Sequence, residues 1–198
     1  MNKQSLSFHN KMVWFTTASI LFLLFIVPGL LASLIKMTPA NDQPGYSGDN
    51  RVSIYGKRDF SQTFISKYDN LVAVATTIRN PNLKNKKDII FNLFDEDNNL
   101  IRATKLNGFN LNDGDFVKIV FEPILASKDK KYYFTIASPD AGNEETIELF
   151  LTGQTTEVIE YEYDDEVRPG GAPMVTFHKP VSRLETVKLV YLNFFEKW

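Results

Sequence analysis

Cysteine is absent from all 198 residues, which removes disulfides, thiolate metal sites and a cysteine nucleophile together. A domain of about 150 residues buries roughly two-thirds of the surface its unfolded chain exposes, so it needs no such staple. The absence therefore fixes no redox compartment. Histidine is nearly as scarce. His9 lies near the N-terminus, and His178 follows an apolar stretch beside Lys179-Pro180, where it reads as an ordinary surface residue. Two distant histidines without cysteine do not make a zinc site. A Ser-His-Asp relay would have only His178, and no Gly-x-Ser-x-Gly elbow offers its nucleophile. Acid is missing from residues 1–40, whose only charges are Lys3, Lys11 and Lys36. The other 158 residues carry 19 basic and 24 acidic side chains. An acidic body on a basic stem lacks the footprint that nucleic acid needs, so no nucleic-acid partner is expected.

Charge of either sign is missing from residues 12–35, a run rich in Leu, Ile, Val and Phe. As a helix it would be about 36 Å long, enough for a hydrocarbon core of about 30 Å with some tilt. Trp14 and Phe15 sit near one end, where aromatic rings favour the headgroup level. Pro28-Gly29 would kink or break the helix, and Ser33 or a local 3₁₀ turn would satisfy the freed carbonyl. A cleaved signal peptide is the alternative, but its apolar region is typically about 7–15 residues, and Thr38-Pro39-Ala40 is a poor cleavage match. A core helix is a third reading. The division expected is a basic tail over 1–11, a transmembrane signal-anchor over 12–35 contacting membrane lipid, and a linker over 36–50. A β domain over 51–180 and a short C-terminal helix over 181–198 follow. Lys3 and Lys11 precede the span while Lys36 and Arg51 follow it, so the positive-inside count is nearly tied. A short tail without acids favours N-terminus in, which places the domain on the extracytoplasmic side as a single-pass membrane protein.

Beyond the linker, β-branched and aromatic runs recur about every 10–15 residues with turn chemistry between them. Strands are predicted at 52–55, 62–66, 71–78, 89–94, 100–105, 116–122, 132–137, 146–151, 158–163 and 174–177. Val117, Ile119 and Phe121 alternate with Lys118 and Val120, and Ile159, Tyr161 and Tyr163 with Glu160 and Glu162. One buried and one solvated face per strand describes an antiparallel β-sandwich, an all-β class without the helices an α/β fold requires. Arg168 to Pro173 reads as a long exposed loop.

Several segments also carry a likeness. Gln62-Thr63-Phe64 is followed by Asp69-Asn70-Leu71, then by Asp88-Ile89-Ile90-Phe91-Asn92-Leu93 and Phe121-Glu122-Pro123-Ile124. The series ends with Lys131-Tyr132-Tyr133-Phe134 running to Ser138-Pro139-Asp140. This order, over about residues 60–178, resembles extracytoplasmic jelly-roll modules of bacterial membrane-anchored envelope proteins. They are similar to galactose-binding-like and carbohydrate-binding sandwiches. Some such modules sit beside membrane glycosyltransferases of envelope polysaccharide synthesis. The resemblance implies a jelly-roll-like sandwich and carries over no functional residues. The chain departs from those modules in ending soon after the sandwich, without a multi-span or transferase region.

No catalytic, cofactor-binding or metal-ligating residue stands out, and no cofactor is expected. Asp95, Asp97 and Asn99 match the first three positions of a calcium loop. Leu100 replaces its glycine, however, and Leu106 its final glutamate, so a hairpin turn explains them better. Carboxylates are plentiful, but a glycosidase pair needs two facing each other across a cleft with one pKa raised. Sugar binding needs exposed rings. Tyr132, Phe134 and Ile136 share one strand face and Tyr133 and Thr135 the other, so Tyr133 is the ring expected outside if Phe134 is inside. Leu184, Val187, Tyr191, Phe194 and Trp198 form a helical stripe begun by a Ser182/Glu185 capping box. The stripe fits self-packing, the membrane interface or a partner.

The functional expectation is a non-enzymatic extracytoplasmic module for binding or assembly in the cell envelope, its partner an envelope protein or a glycan. The alternative is a carbohydrate-binding module serving polysaccharide synthesis or glycan adhesion, with a hydrolase third. If 12–35 is an uncleaved span, the full chain stays in membranes after carbonate washing with residue 1 attached. Leu23→Asp with Leu24→Asp weakens insertion, since each mid-helix charge costs roughly 2.5–3.5 kcal/mol on insertion scales. Recovery of a mature chain starting near Asn41 would refute the anchor.

Overall fold

Alternation of apolar and polar residues builds most of this chain. In the computed structural model, which describes residues 3–23, 27, 37–41 and 44–180, it yields two antiparallel sheets. In chain order the elements are helix α1 (Lys3–Leu21) and strands β1 (Thr38–Pro39), β2 (Ser47–Ile54), β3 (Phe60–Ile65), β4 (Leu71–Arg79), β5 (Asp88–Asp95) and β6 (Leu100–Asn107). Then come β7 (Asp115–Ile124), β8 (Lys131–Ala137), β9 (Ile147–Leu151), β10 (Val158–Tyr163), β11 (Glu166–Pro169) and β12 (Met174–His178). The first sheet runs β1-β12-β4-β9-β2, with β7 on the other edge of β4; the second runs β11-β10-β3-β8-β5-β6. Residues 37–179 form one compact unit.

Every expected strand has its counterpart. In β3, β5 and β8 buried and part-exposed positions alternate as the sequence does. The inward residues meet between the sheets, where Phe134 is fully buried with its ring centroid 5.3 Å from Phe91, 6.2 Å from Phe64 and 6.4 Å from Phe60. In β7, Ile119 is buried, Val117 and Phe121 pack against the core, and Lys118 and Val120 are exposed. Phe121 is therefore only half-buried.

Four departures have physical causes. First, Glu166–Pro169 pairs with β10 as an edge strand, and the rest of the expected loop, 170–173, is buried. Buried backbone must find partners, and Gln62 supplies them: Ala172 N–H donates to its Oε1 (2.6 Å) while its Nε2 donates to Ala172 O (3.2 Å). A Cβ at Gly171 would meet Gln62 Oε1 at 2.5 Å, so that approach requires glycine. Second, Ile159 is a bulge residue, since Val158 faces Phe64 while Glu160 faces Thr63. Val158 and Tyr161 are thereby the buried pair, rather than Ile159 with Tyr161. Third, β1 and the first half of β2 fall within the stretch read as linker; Pro39 is tolerated because β1 is a two-residue edge strand. Fourth, His178 is 5% exposed, not a surface residue.

Helix α1 begins at Lys3, inside the expected tail. Among the described residues no helix is long and apolar enough to cross a membrane. Residues 24–26 and 28–35 of the expected span, and the expected helix over 181–198, lie outside the described residues.

Phe134→Ala should lower stability by about 3–5 kcal/mol, whereas half-buried Phe121→Ala should cost about 1–2 kcal/mol. Urea unfolding of both variants checks the order, and a larger loss for Phe121 would contradict this packing.

Candidate functional site

With one face of the second sheet committed to the core, period two assigns the opposite side chains to its outer face. Strand β3 turns Ser61 and Thr63 outward, β8 Tyr133 and Thr135, β5 Asn92 and Phe94, and β10 Glu160 and Glu162. Strand register sets them in two rows: Phe94, Tyr133, Thr63, Glu160 and, beside it, Asn92, Thr135, Ser61, Glu162.

The Phe94 and Tyr133 rings stack with centroids 4.7 Å apart and planes within 8°. That separation matches the spacing of neighbouring strands, about 4.8 Å, so the rings rise side by side from β5 and β8. One face of Tyr133 is thereby spent on Phe94. The other side adjoins β3, whose outward residues are Ser61, Thr63 and Ile65, with Thr63 directly opposite Tyr133. Strands β8 and β10 flank β3, roughly 9–10 Å apart. This order outlines a shallow trough, with the Ser61, Thr63 and Ile65 row of β3 between the aromatic pair and the glutamates of β10. Among the described residues neither Glu160 nor Glu162 has a cation partner.

The aromatic wall is braced. Tyr133 O–H donates to Asn98 Oδ1 at 3.0 Å. Asn98 sits at φ +64° in the β5–β6 turn, a conformation asparagine tolerates better than most residues. Asp95 fixes that turn: its Oδ1 accepts from Asp97 N–H (3.0 Å) and Asn99 N–H (2.9 Å), its Oδ2 from Asn99 Nδ2 (3.1 Å). Those bonds, the Asn99 amide foremost, hold the Asp95 carboxyl below its ordinary range. The calcium-like spacing thus makes an Asx-type turn, with both Asp95 oxygens engaged by N–H groups. No cluster of three or more His, Cys, Asp or Glu suited to a metal occurs among the described residues. Burial, with Asp95 nearby, raises the Tyr133 hydroxyl above the ordinary phenol value, so it stays a neutral donor.

Tyr133 is thus outside and Tyr132, Phe134 and Ile136 inside, as alternation predicts. Sequence reasoning missed Phe94, Thr63 and Ser61, because only strand register brings them to Tyr133. Glu160 and Glu162 stand on one strand and one wall, not facing each other across a cleft as a glycosidase pair does. A second exposed stack, Tyr46 on Phe150 at 4.6 Å, borders an open depression of about 520 Å³ near Ser47, Asn50 and Thr152.

No family model matches the chain, and no curated protein does.

Because the Asp95 carboxyl is lowered in the fold, the turn's contribution should be complete above about pH 4 and fade as pH falls through the lowered value. The Asn99 amide proton, followed by NMR, should titrate with a midpoint below the ordinary aspartate value. A midpoint at or above that value would contradict the turn.

Proposed function

We propose that the chain is a non-enzymatic, membrane-anchored extracytoplasmic module whose sandwich holds a neutral glycan in the trough beside Tyr133. One observation carries this reading: a braced, stacked tyrosine ring stands directly beside the small hydroxyl side chain of Thr63. A pyranose presents apolar C–H groups to a ring face while its hydroxyls, at the rim, exchange hydrogen bonds with Thr63, Ser61, Thr135 and the carboxylates. Glu160 and Glu162, without a cation partner among the described residues, disfavour an anionic chain.

The strand order supports placing the sandwich in the jelly-roll class. Strands β2-β9-β4-β7 face β3-β8-β5-β6, the arrangement made by two interlocked Greek keys. The anchor reading is supported by the uncharged run 12–35 and by α1. There Met12, Val13, Trp14, Phe15, Ile20 and Leu21 are each at least half exposed, a surface better matched to lipid than to water. A bacterial envelope location and an amphipathic C-terminal helix remain parts of the same proposal, resting on the resemblance and on the 184–198 stripe.

The test is a glycan array probed with the full chain in detergent micelles. Binding of neutral oligosaccharides is expected, and Tyr133→Ala should weaken it by roughly tenfold, about 1.4 kcal/mol. Phe109→Ala, an exposed ring outside the trough, should leave it unchanged. No neutral glycan bound, or equal losses in both variants, would overturn the reading in favour of a protein partner.

A further inference from the structure

Where β12 ends, three buried polar side chains form a line between the sheets. Thr176 Oγ1 lies 3.4 Å from Glu157 Oε2 and 3.1 Å from His178 Nε2. His178 Nδ1 lies 3.2 Å from Asp69 O. Glu157 is 3% exposed, Thr176 fully buried, and among the described residues Glu157 Oε1 has no hydrogen-bond partner.

Proton counting constrains this line. A carbonyl only accepts, so Nδ1 must carry a hydrogen and donate it to Asp69 O. Thr176 has one hydroxyl proton and two neighbours. If Glu157 is a carboxylate and His178 is neutral, both need that single proton, and one is left buried and unpaired. One added proton removes the conflict. On Glu157 it gives Glu157 donating to Thr176 and Thr176 donating to Nε2; on Nε2 it gives the reverse order.

We propose that Glu157, Thr176 and His178 share one exchangeable proton, and that this proton makes the seating of the β12 end depend on pH. Several backbone contacts converge there. Ala40 N–H donates to Thr176 O (2.9 Å), Lys179 N–H to Asn70 O (3.1 Å), and Asn70 Nδ2 to Lys179 O (3.1 Å). Strand β1, on the N-terminal stem, pairs with His178 through Thr38. The line thus sits where β1 meets the end of β12.

Among the described residues, few charged and titratable groups face it. Lys67 favours an ionised Glu157 and Asp69 favours a charged His178, while Tyr68 packs edge-on against the imidazole. Burial outweighs them, raising the Glu157 carboxyl and lowering the His178 imidazole, so the two proton affinities are drawn toward each other across Thr176. A raised carboxyl stabilises fully below its ordinary value, and that contribution is lost as pH rises through the folded value. The lowered imidazole acts oppositely: its contribution is present above its ordinary value and lost as pH falls through the folded one. Comparing wild type with Glu157→Gln isolates the first effect, because a carboxamide donates to Thr176 at every pH.

The experiment is hydrogen exchange at the Ala40 and Lys179 amides of the full chain from pH 5 to 8, corrected for intrinsic rates. Relative to Glu157→Gln, wild type should lose protection as pH rises through the folded Glu157 value, by at most about tenfold per pH unit for one proton. Glu157→Gln should show no such loss, and Thr176→Ser, which keeps the hydroxyl, should behave as wild type. By NMR, Glu157→Gln should move the His178 titration midpoint, and should no longer do so in a Thr176→Val background. An identical pH dependence in wild type and Glu157→Gln overturns the proposal. So does a His178 midpoint indifferent to residue 157, a readout that survives even if amide protection is lost in one variant.

Discussion

The amide of Gln62 sits on the inner face of the second sheet, between Phe60 and Phe64, with no exposure to solvent. A buried amide without partners would cost about 1–3 kcal/mol, and this one has both ends satisfied by the backbone of Ala172. Ala172 lies just before β12, in the first sheet. The interaction therefore ties the two sheets across the core with paired, directional bonds, where hydrophobic contact alone would permit sliding. It also explains why 170–173 is buried: the segment exchanges water for Gln62 on one side, and Thr76 Oγ1 donates to Pro173 O on the other.

Fixing Gln62 fixes what lies above it. A one-residue slip in β3 would turn Gln62 to solvent and carry Ser61 and Thr63 into the core. The floor of the trough is thus held in place by the same constraint that locks the sheets. The bulge at Ile159 has a related consequence. By inserting one residue between Val158 and Glu160, it lets Val158 and Tyr161 both reach the core while Glu160 stays on the outer face opposite Thr63. Without the bulge, burying Val158 would bury Glu160 as well.

What the sequence displays openly is whatever depends on local periodicity. The strands from Val52 to Phe177 and the inward and outward assignment of Tyr132, Tyr133 and Phe134 are legible because alternation and turn residues encode them within a few positions. Strand β11 is not, because Glu166–Pro169 has exposed side chains throughout and becomes a strand only through β10. His178 and Glu157 are not, because their burial depends on elements about 110 and 20 residues away closing over them. The Phe94–Tyr133 stack falls between these cases. Each residue's face follows from its own strand, but their adjacency follows from register, which no single strand contains.

A cross-strand aromatic pair also has a purely structural use, since such pairs contribute roughly 0.2–1 kcal/mol to a sheet. Two features exceed that use. The hydroxyl of Tyr133 is held by Asn98 in a turn that is itself stiffened by Asp95, although an exposed phenol can satisfy its hydroxyl with water at no structural expense. And the neighbouring strand offers Thr63 directly opposite Tyr133, where a larger side chain would bury more apolar surface. A sheet selected for stability alone would gain from filling that position; under the glycan-binding proposal, it is where a flat, hydroxyl-rimmed ligand would lie.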